Sequence, residues 1–470
     1  MVVRQAVNDL RIMVYAENVE NVQARSAARR GRQRQYLDRA IPLLVGGVLF
    51  VLSMALSSIA MSTQPKLTPI DEQTHIDYAW EVSHGRIPRA GETMSQEVLD
   101  MWSCAGQDGT ILPACSSRSP ASGYPASGEN YNFWQPPLYF MVVGPVARAV
   151  AAVDHSLGFV GALRWLGAGI SALGLVALFH ELRKWKVPAG AAGAASLLVM
   201  ALPPVVSASS RVTPDSAVTL CSVAALVVLR RVLVEHRTDM WSSGFLTVLV
   251  AGVKVLNALP LLAAAVCVLA LGLRSGPRNH RVRRVLSAIS IPLSVAVVHF
   301  GWNWYQGRYI PVGYVNPVNG VNTQTVAGNP AAEWLSTIFS GSSMVSSYYF
   351  SDSVSAWTMS LWVSIIGPVI AGLAVLGWLM VDRTDKFMAV GICLLVGILV
   401  WPLAVQVQAW STGHMYFPVM NARYGAPFLP IAAALGAMVA TRRGVVPLYQ
   451  MLAIGGCGLA TMALLGLELS

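Results

Sequence analysis

The chain has 470 residues, of which 54% are hydrophobic and only 12% are charged. Soluble proteins carry about 25% charged residues, so this composition excludes an ordinary soluble enzyme and predicts an all-α polytopic membrane protein. The formal net charge of +10 does not indicate nucleic-acid binding. The arginines cluster beside apolar runs, as the positive-inside rule predicts for cytoplasmic loops.

Apolar runs of about 18 or more residues, each long enough to cross the ~30 Å hydrocarbon core, recur along the whole sequence. The first run follows an arginine-rich segment and lacks a small-residue cleavage site, so we expect an anchor that is not removed. Run length and the positions of Lys and Arg predict about eleven transmembrane helices. They cover 41–61, 161–181, 189–208, 213–234, 242–256, 258–273, 285–303, 357–381, 387–408, 424–440 and 446–467.

One apolar segment of the first outer loop, 137–153, is predicted to form a helix that lies along the outer membrane interface. If this segment crossed the membrane, the basic segment 180–186 would fall outside, against the positive-inside rule. The expected organisation is a basic cytoplasmic tail (1–40), a transmembrane module (41–303) with its long outer loop (62–158), a second outer loop (304–356) and C-terminal transmembrane helices (357–470).

Two of the six cysteines, Cys104 and Cys115, lie together in the first outer loop. The topology places this loop outside the cytoplasm, where a disulfide between them is expected. No histidine pair lies at ligand spacing from these thiols, so zinc is not expected. The other four cysteines lie in apolar runs, where cysteine behaves as a small hydrophobic residue.

The densest group of acidic residues and histidines directly follows the first apolar run, in the stretch "PIDEQTHIDYAWEVSHGRIP" (69–88). Thr68 and Pro69 suit the N-cap and the first position of a helix, and Asp71 falls where a capping box places its acid. On this interpretation Asp71 and Glu72 only stabilise a helix N-terminus. The same signal recurs in "RVTPDSAV" (211–218), before another apolar run.

The helix that follows Asp71 is amphipathic, with an apolar stripe and a second stripe that carries Asp71, His75 and Tyr78. Such a helix would lie on the membrane and hold a carboxylate above its surface. This position suits chemistry on a substrate with a lipid tail in the bilayer and a polar head outside. From the residues alone, the capping and the chemical interpretations both stay open.

Three elements together resemble a known family. "PIDEQTHIDYAWEVSHGRIP", "NFWQPPLYF" (132–140) and "GALRWLGAGIS" (161–171) are similar to the start of the GT-C superfamily of integral-membrane glycosyltransferases. That superfamily includes protein mannosyltransferases, lipid A aminoarabinose transferases and actinobacterial arabinosyl- and mannosyltransferases. Weaker similarity continues in "TPDS", "GVKVLNALP" and "NARYGAPFLP".

The resemblance implies a sugar donor carried on polyprenyl phosphate and a base that deprotonates the acceptor hydroxyl. It favours Asp71 as this base, with Glu72 as the second choice and His75 as a residue that orients either carboxylate. Cations would stabilise the phosphate that leaves. The residues expected to bind the donor phosphate are Lys254, Arg423 and Arg211, and those expected to contact substrate are Tyr131, Gln135, Tyr139, Asp215, His414 and Tyr424.

Alternatives for the cations stay open at this point. Lys254 near a helix end could extend to the interface, and Arg423 could be an ordinary interfacial anchor. A cation inside a span otherwise costs roughly 2.5–3.5 kcal/mol and usually faces a cavity or a partner.

The sequence therefore predicts an inverting glycosyltransferase of the plasma membrane that works on its extracytoplasmic face in cell-envelope glycan synthesis. Its partners would be a polyprenyl-phosphate sugar such as an arabinose or mannose donor, a glycan or lipid-linked acceptor and membrane lipids. No cofactor is implied with certainty, and a requirement for a divalent cation stays open. The alternatives are a transporter or flippase of lipid-linked sugars and a non-catalytic protein that binds envelope precursors.

Overall fold

The computed structural model of the protein describes residues 40–68, 71–107, 109–237, 239–273, 278–317, 324–325, 372–380, 385–413, 415–417 and 422–466. The chain divides into two units, Met1–Val48 and Leu49–Ser470. Of the first unit only residues 40–48 are described, and everything below concerns the second unit. A two-residue ladder, Gln324–Thr325 with Met415–Tyr416, accompanies the helices.

The described residues form an all-helical membrane protein, as the composition predicts. Eight of their helical stretches are long and apolar enough to cross a membrane, three of which (Pro214–Val234, Val255–Gly272 and Tyr424–Arg443) join an α-helix to neighbouring 3₁₀ or π turns. A ninth crossing results if one pair of helices bent by 69° is a single span. The helices are α1 (Ala40–Thr63), α2 (Glu72–Ser83), α3 (Gln96–Ala105), α4 (Leu138–Val153), α5 (Gly158–Lys184), α6 (Ala189–Met200), α7 (Pro203–Ser210), α8 (Val218–Leu229), α9 (Met240–Val253), α10 (Leu259–Gly272), α11 (Arg278–Gly307), α12 (372–379), α13 (Asp385–Gly413), α14 (Leu429–Arg443) and α15 (Val446–Leu464).

Three predicted spans differ from the observed helices. The span predicted at 189–208 is the bent pair α6 and α7, whose break falls just before Pro203. The span predicted at 242–256 is the 14-residue helix α9, which is shorter than the helices that can cross a membrane, because the chain leaves the helix at Lys254. The span predicted at 357–381 lies outside the described residues apart from 372–380.

The predicted helix at 137–153 is present as α4. Its sixteen residues extend about 24 Å, which is shorter than the ~30 Å hydrocarbon core. It packs against α2 and α5. A helix at this position is thus confirmed, and its placement along the membrane interface stays a prediction.

Helix α2 is buried more completely than its amphipathic pattern predicts, since every residue from Glu72 to Ala79 is buried. The ring of Tyr78 stacks on Phe140 of α4 with centroids 4.1 Å apart. A Cβ atom on Gly144 would lie 2.4 Å from the carbonyl oxygen of Ala79, so glycine is what allows α4 to approach α2 this closely. Of the polar stripe, His75 and Tyr78 therefore face protein and not water, while Asp71 is half-buried.

The start of α2 also differs from the prediction. The helix begins at Glu72 with Asp71 at the N-cap position, and Thr68 lies before the helix. The backbone N–H of Thr68 donates to the Glu72 carboxylate at 2.8 Å. Pro69, the predicted first helical residue, lies outside the described residues.

In the first outer loop, Cys104 at the end of α3 forms a disulfide with Cys115, with Cα atoms 4.5 Å apart. Closing a loop of this size restricts the unfolded chain, so we expect the double variant Cys104→Ser/Cys115→Ser to lose about 3 kcal/mol of unfolding free energy. Thermal unfolding with and without reductant measures this. Reductant should lower the midpoint of the wild type and leave the variant unchanged, and an equal response of both would contradict the prediction.

Candidate active site

Asp71 lies in a strained backbone conformation where α2 begins. Its φ of 62° and ψ of −7° fall in the left-handed region, which few residues other than glycine adopt. Its carbonyl oxygen accepts the N–H of His75 at 3.1 Å and the hydroxyl of Thr74 at 2.7 Å. Within the described residues its carboxylate makes no capping hydrogen bond to the helix, so the capping interpretation of Asp71 loses its main support. Strained backbone conformations of this kind cluster at functional sites.

The neighbouring Glu72 is fully buried and held from three directions. Arg164 donates from Nε to Oε1 at 2.9 Å and from Nη2 to Oε2 at 3.1 Å. The backbone N–H groups of Thr68 and Val212 donate at 2.8 and 3.0 Å. Burial alone would raise the pKa of Glu72, but the charges of Arg164 and Arg211 and these hydrogen bonds outweigh it and lower the pKa. Glu72 is therefore ionised, and it joins α2 to the segments that contain Thr68, Arg164 and Val212.

The two arginines beside Glu72 also bind the chain that leaves α1. Arg164 donates to the carbonyl oxygens of Pro65 and Lys66 at 3.1 and 2.9 Å. Arg211 donates to the carbonyl oxygens of Gln64 and Lys66 at 2.8 and 2.7 Å, and to Gln64 Oε1 at 2.5 Å. Arg211, expected from the sequence to bind phosphate, thus contacts protein carbonyls here.

His75 is a buried, neutral imidazole one turn after Asp71. Its Nδ1 lies 3.0 Å from the carbonyl oxygen of Val212, and its Nε2 lies 3.2 Å from the amide nitrogen of Gln135. Since a carbonyl only accepts, Nδ1 carries the proton and Nε2 accepts from Gln135. Burial, assisted by the charge of Lys254, lowers the pKa of His75 to about 4, although Asp71 and Asp215 oppose this shift.

This shift predicts how stability depends on pH. The folded pKa is below the ordinary 6.5, so the unfolded chain binds the extra proton between pH 6.5 and about 4. Unfolding free energy should therefore fall as pH falls through this window, by roughly 3 kcal/mol. Thermal midpoints of the wild type and of His75→Gln between pH 7 and 4.5 test this. The difference between the two proteins isolates His75 from Asp77, whose raised pKa has the opposite sign, and parallel curves would contradict the assignment.

Lys254 and Asp215 form a buried ion pair next to His75. Lys254 Nζ lies 2.6 Å from Asp215 Oδ1, and both side chains are almost completely buried. Lys254 has an extended backbone at the break between α9 and the 3₁₀ turn Val255–Ala258. Its side chain pairs within the protein, which excludes extension to the interface. Asp215 is the second residue of another 3₁₀ turn, Pro214–Ala217, which is capped as predicted by Thr213, whose hydroxyl accepts the Asp215 N–H.

A cavity of about 20 Å³ adjoins Lys254, enough for one water-sized group. Gln135, Lys254, Trp302 and Gln408 are among the residues that line it. Gln135 Oε1 is buried and has no hydrogen-bond partner among the described residues. A single polar group of a ligand, or a water, could satisfy this oxygen here.

The structure thus brings together part of the residue set predicted from the sequence. Asp71, His75, Gln135, Asp215 and Lys254 lie in one region. The Tyr139 hydroxyl accepts from Ser216 at 3.3 Å, the Tyr131 hydroxyl accepts from Gln73 at 3.0 Å, and the Tyr424 ring lies 6.4 Å from that of Phe417. His414 and the side chain of Arg423 lie outside the described residues.

One ionisable residue near the site was not predicted. Asp77 is buried on another face of α2, where it accepts from Asn130 at 2.7 Å and from the Ser95 N–H at 2.9 Å. Burial raises its pKa to about 7. The sequence signal was present, since Asp77 belongs to the same acidic stretch, but its spacing places it away from the stripe of Asp71.

Comparison with known proteins shows a likeness in fold. No protein-family model matches the chain, and no curated protein matches it. Among solved structures, the crystal structure of ArnT from Cupriavidus metallidurans bound to undecaprenyl phosphate is similar, with a TM-score of 0.51 and 14% sequence identity. The match covers 89% of this chain and 76% of that chain. The expected GT-C resemblance is confirmed at the level of the fold.

Proposed function

We propose that this chain, a multi-pass membrane protein with the GT-C fold, transfers a sugar from a polyprenyl-phosphate carrier to an acceptor hydroxyl. The observation that carries the proposal is Asp71, which lies in a left-handed conformation at the N-cap of α2. Its charge acts on the buried His75, as do those of Lys254 and Asp215. The similar fold of ArnT, solved with undecaprenyl phosphate, supports the carrier class. We further propose that the reaction takes place on the extracytoplasmic face of the plasma membrane, with an envelope glycan or a lipid-linked saccharide as acceptor.

In this mechanism Asp71 is the general base. Its carboxylate takes the proton of the acceptor hydroxyl while the hydroxyl oxygen bonds to the anomeric carbon of the donor. The bond between that carbon and the phosphate oxygen breaks, and polyprenyl phosphate leaves with the electron pair. Attack opposite the leaving group inverts the anomeric centre. Glu72 is unsuited to this role, because its two oxygens already accept four hydrogen bonds in a fully buried position.

Lys254 supplies positive charge for the phosphate. An ammonium has three N–H donors, so Lys254 can hold Asp215 and a phosphate oxygen together. Burial makes this interaction stronger than it would be in water. Neutral His75 fixes Gln135 beside the same cavity and adds no competing charge. Arg423 remains a proposed second cation for the phosphate, and Tyr139, Tyr131, Tyr424 and His414 remain proposed substrate contacts.

The proposal is tested by incubating the purified protein with polyprenyl-phosphate arabinose or mannose, radiolabelled in the sugar, and a mixed envelope-glycan acceptor. Label should move from the lipid phase to the acceptor. Movement of intact labelled lipid across proteoliposomes without transfer would overturn the proposal and favour a flippase. Chelator added in a parallel reaction decides whether a divalent cation takes part.

Lys254→Met should raise the KM for the donor at least about tenfold, since one charge-assisted contact to phosphate is lost. The variant Lys254→Met/Asp215→Asn also removes the carboxylate that would be left unpaired, so it separates donor binding from folding. Lys184→Met, at an exposed position at the C-terminal end of α5, is the control that should have the wild-type KM for the donor. An unchanged donor KM in the correctly folded double variant would exclude Lys254 from the phosphate site.

A further inference from the structure

A second, larger cleft lies on another side of α2. It has a volume of about 820 Å³ and is bounded by α2, the segment 85–97 and α11. Asp77, a buried residue of its lining, is six positions after Asp71. This spacing places the two carboxylates roughly 120° apart around the helix and about 9 Å apart along it. The cleft is therefore distinct from the region of Asp71, His75 and Lys254.

The floor of the cleft is a fixed polar surface. Asp77 is held by the Ser95 N–H and by the amide of Asn130, and that amide also donates to the Thr74 carbonyl oxygen at 3.1 Å. Each carboxylate oxygen has two lone pairs, so each Asp77 oxygen can accept a further hydrogen bond from a ligand. Because these groups are already ordered, a ligand that binds them does not have to order them.

One aromatic side chain lines the cleft, that of Tyr305 of α11. Its ring stacks on Trp302, with centroids 5.1 Å apart, and the Arg308 guanidinium lies 5.2 Å from its centroid. Arg89, which also lines the cleft, places its guanidinium 4.0 Å from the ring centroid of Tyr309. An aromatic side chain together with several hydrogen-bonding groups suits a sugar ring, which presents both C–H groups and hydroxyls.

The charge of the cleft limits what it can bind. Four acidic residues line it, against two arginines, and the pair of Arg86 with Glu81 at 2.5 Å leaves three acids against one arginine. Even when Asp77, whose pKa burial raises to about 7, is protonated, two acids remain against that one arginine. An excess of acids repels phosphate, so the charged head of a polyprenyl-phosphate donor does not fit here. Among the described residues no three His, Cys, Asp or Glu side chains are arranged to hold a metal ion. The four acids are Asp77, Glu81, Glu92 and Glu97.

We propose that this cleft is a binding site for an uncharged oligosaccharide, separate from the place where the sugar is transferred. Its ligand packs C–H groups against the part of Tyr305 that lines the cleft and donates hydroxyl hydrogen bonds to the acids and to Asn130. If the proposed transferase function holds, the bound saccharide is a part of the acceptor glycan away from the reacting hydroxyl. The cleft then selects the acceptor and takes no part in donor binding.

The test is calorimetric titration of the purified full-length protein, without donor, with xylohexaose, mannohexaose and a sulfated heparin hexasaccharide. At least one uncharged hexasaccharide should bind, and the sulfated one should not. Tyr305→Ala should weaken the binding at least about tenfold through loss of the aromatic contact. Trp304→Ala removes the adjacent aromatic side chain, which is exposed and does not line the cleft, and should bind as wild type.

A second variant tests the charge argument. Glu97 is exposed, so Glu97→Lys should fold normally and let the sulfated hexasaccharide bind. No binding of either uncharged hexasaccharide, equal binding of the sulfated one to the wild type, or binding that Tyr305→Ala leaves unchanged would each overturn the site.

The same titration separates this inference from the proposed function. Asp71→Asn should bind saccharide as well as the wild type does. Binding without any sugar transfer by the wild type would leave the cleft standing and remove the transferase. Transfer by the wild type, with saccharide binding and acceptor KM both unaffected by Tyr305→Ala, would leave the transferase standing and remove the cleft.

Discussion

Asp71→Asn should reduce sugar transfer by about 10²–10⁴-fold, the range that general-base catalysis contributes. The substitution keeps the size of the side chain, and asparagine tolerates the left-handed backbone that this position requires. Only the ability to accept a proton is lost. The affinity for polyprenyl-phosphate donor should therefore stay as in the wild type, while kcat falls.

Radiolabel transfer at saturating donor, together with donor binding measured separately, checks this expectation. Asp154→Asn is the matched control, because Asp154 is an exposed acid at the end of α4 whose carboxylate bonds to Ser156. It should transfer at the wild-type rate. A folded Asp71→Asn variant with comparable turnover would remove Asp71 as the base and return it to a structural role at the start of α2.

Glu72→Gln, one residue away, should instead destabilise the protein. The Arg164 guanidinium would lose its ionised partner inside the protein, and Arg211 would lose a nearby opposite charge. Breaking a buried ion pair by removing one partner costs about 3–5 kcal/mol. We expect a large decrease in the thermal midpoint, and loss of transfer that follows the loss of folded protein.

Thermal unfolding followed by tryptophan fluorescence measures this difference. Glu81→Gln on the same helix removes the partner of Arg86, whose side chain is 63% exposed, and should lower the midpoint much less. Equal midpoints for Glu72→Gln and wild type would contradict the structural role. Asp71→Asn should then lower the rate of transfer and leave stability unchanged, whereas Glu72→Gln should lower the thermal midpoint.

The contacts of Arg164 and Arg211 around Glu72 also position the candidate site. Arg164 of α5 and Arg211 after α7 both bind the carbonyls that follow α1, and Glu72 lies between them. The N-terminus of α2 is therefore fixed relative to three helices. Because Asp71 directly precedes Glu72, its strained conformation is held by contacts that do not involve its own side chain. This is how a costly backbone geometry persists.

The sequence by itself determined the fold class and much of the helix pattern. Long apolar runs require helices in lipid, since every backbone group must be satisfied internally. Local sequence signals were sufficient to predict the cap at Thr213 and the helix at 138–153. It also singled out Asp71, because an acid cluster beside a span is conspicuous in a chain with 12% charged residues.

The tertiary structure alone decided which of these polar residues hold the protein together. Glu72 meets Arg164, 92 residues later, and the N–H of Val212, 140 residues later; Lys254 meets Asp215 across 39 residues. Local patterns report neighbours within about one helical turn and carry no information on such pairs. The burial of His75 and the shape of the second cleft likewise follow from packing between distant helices. Two adjacent acids with the same local signal thus received different environments from the fold.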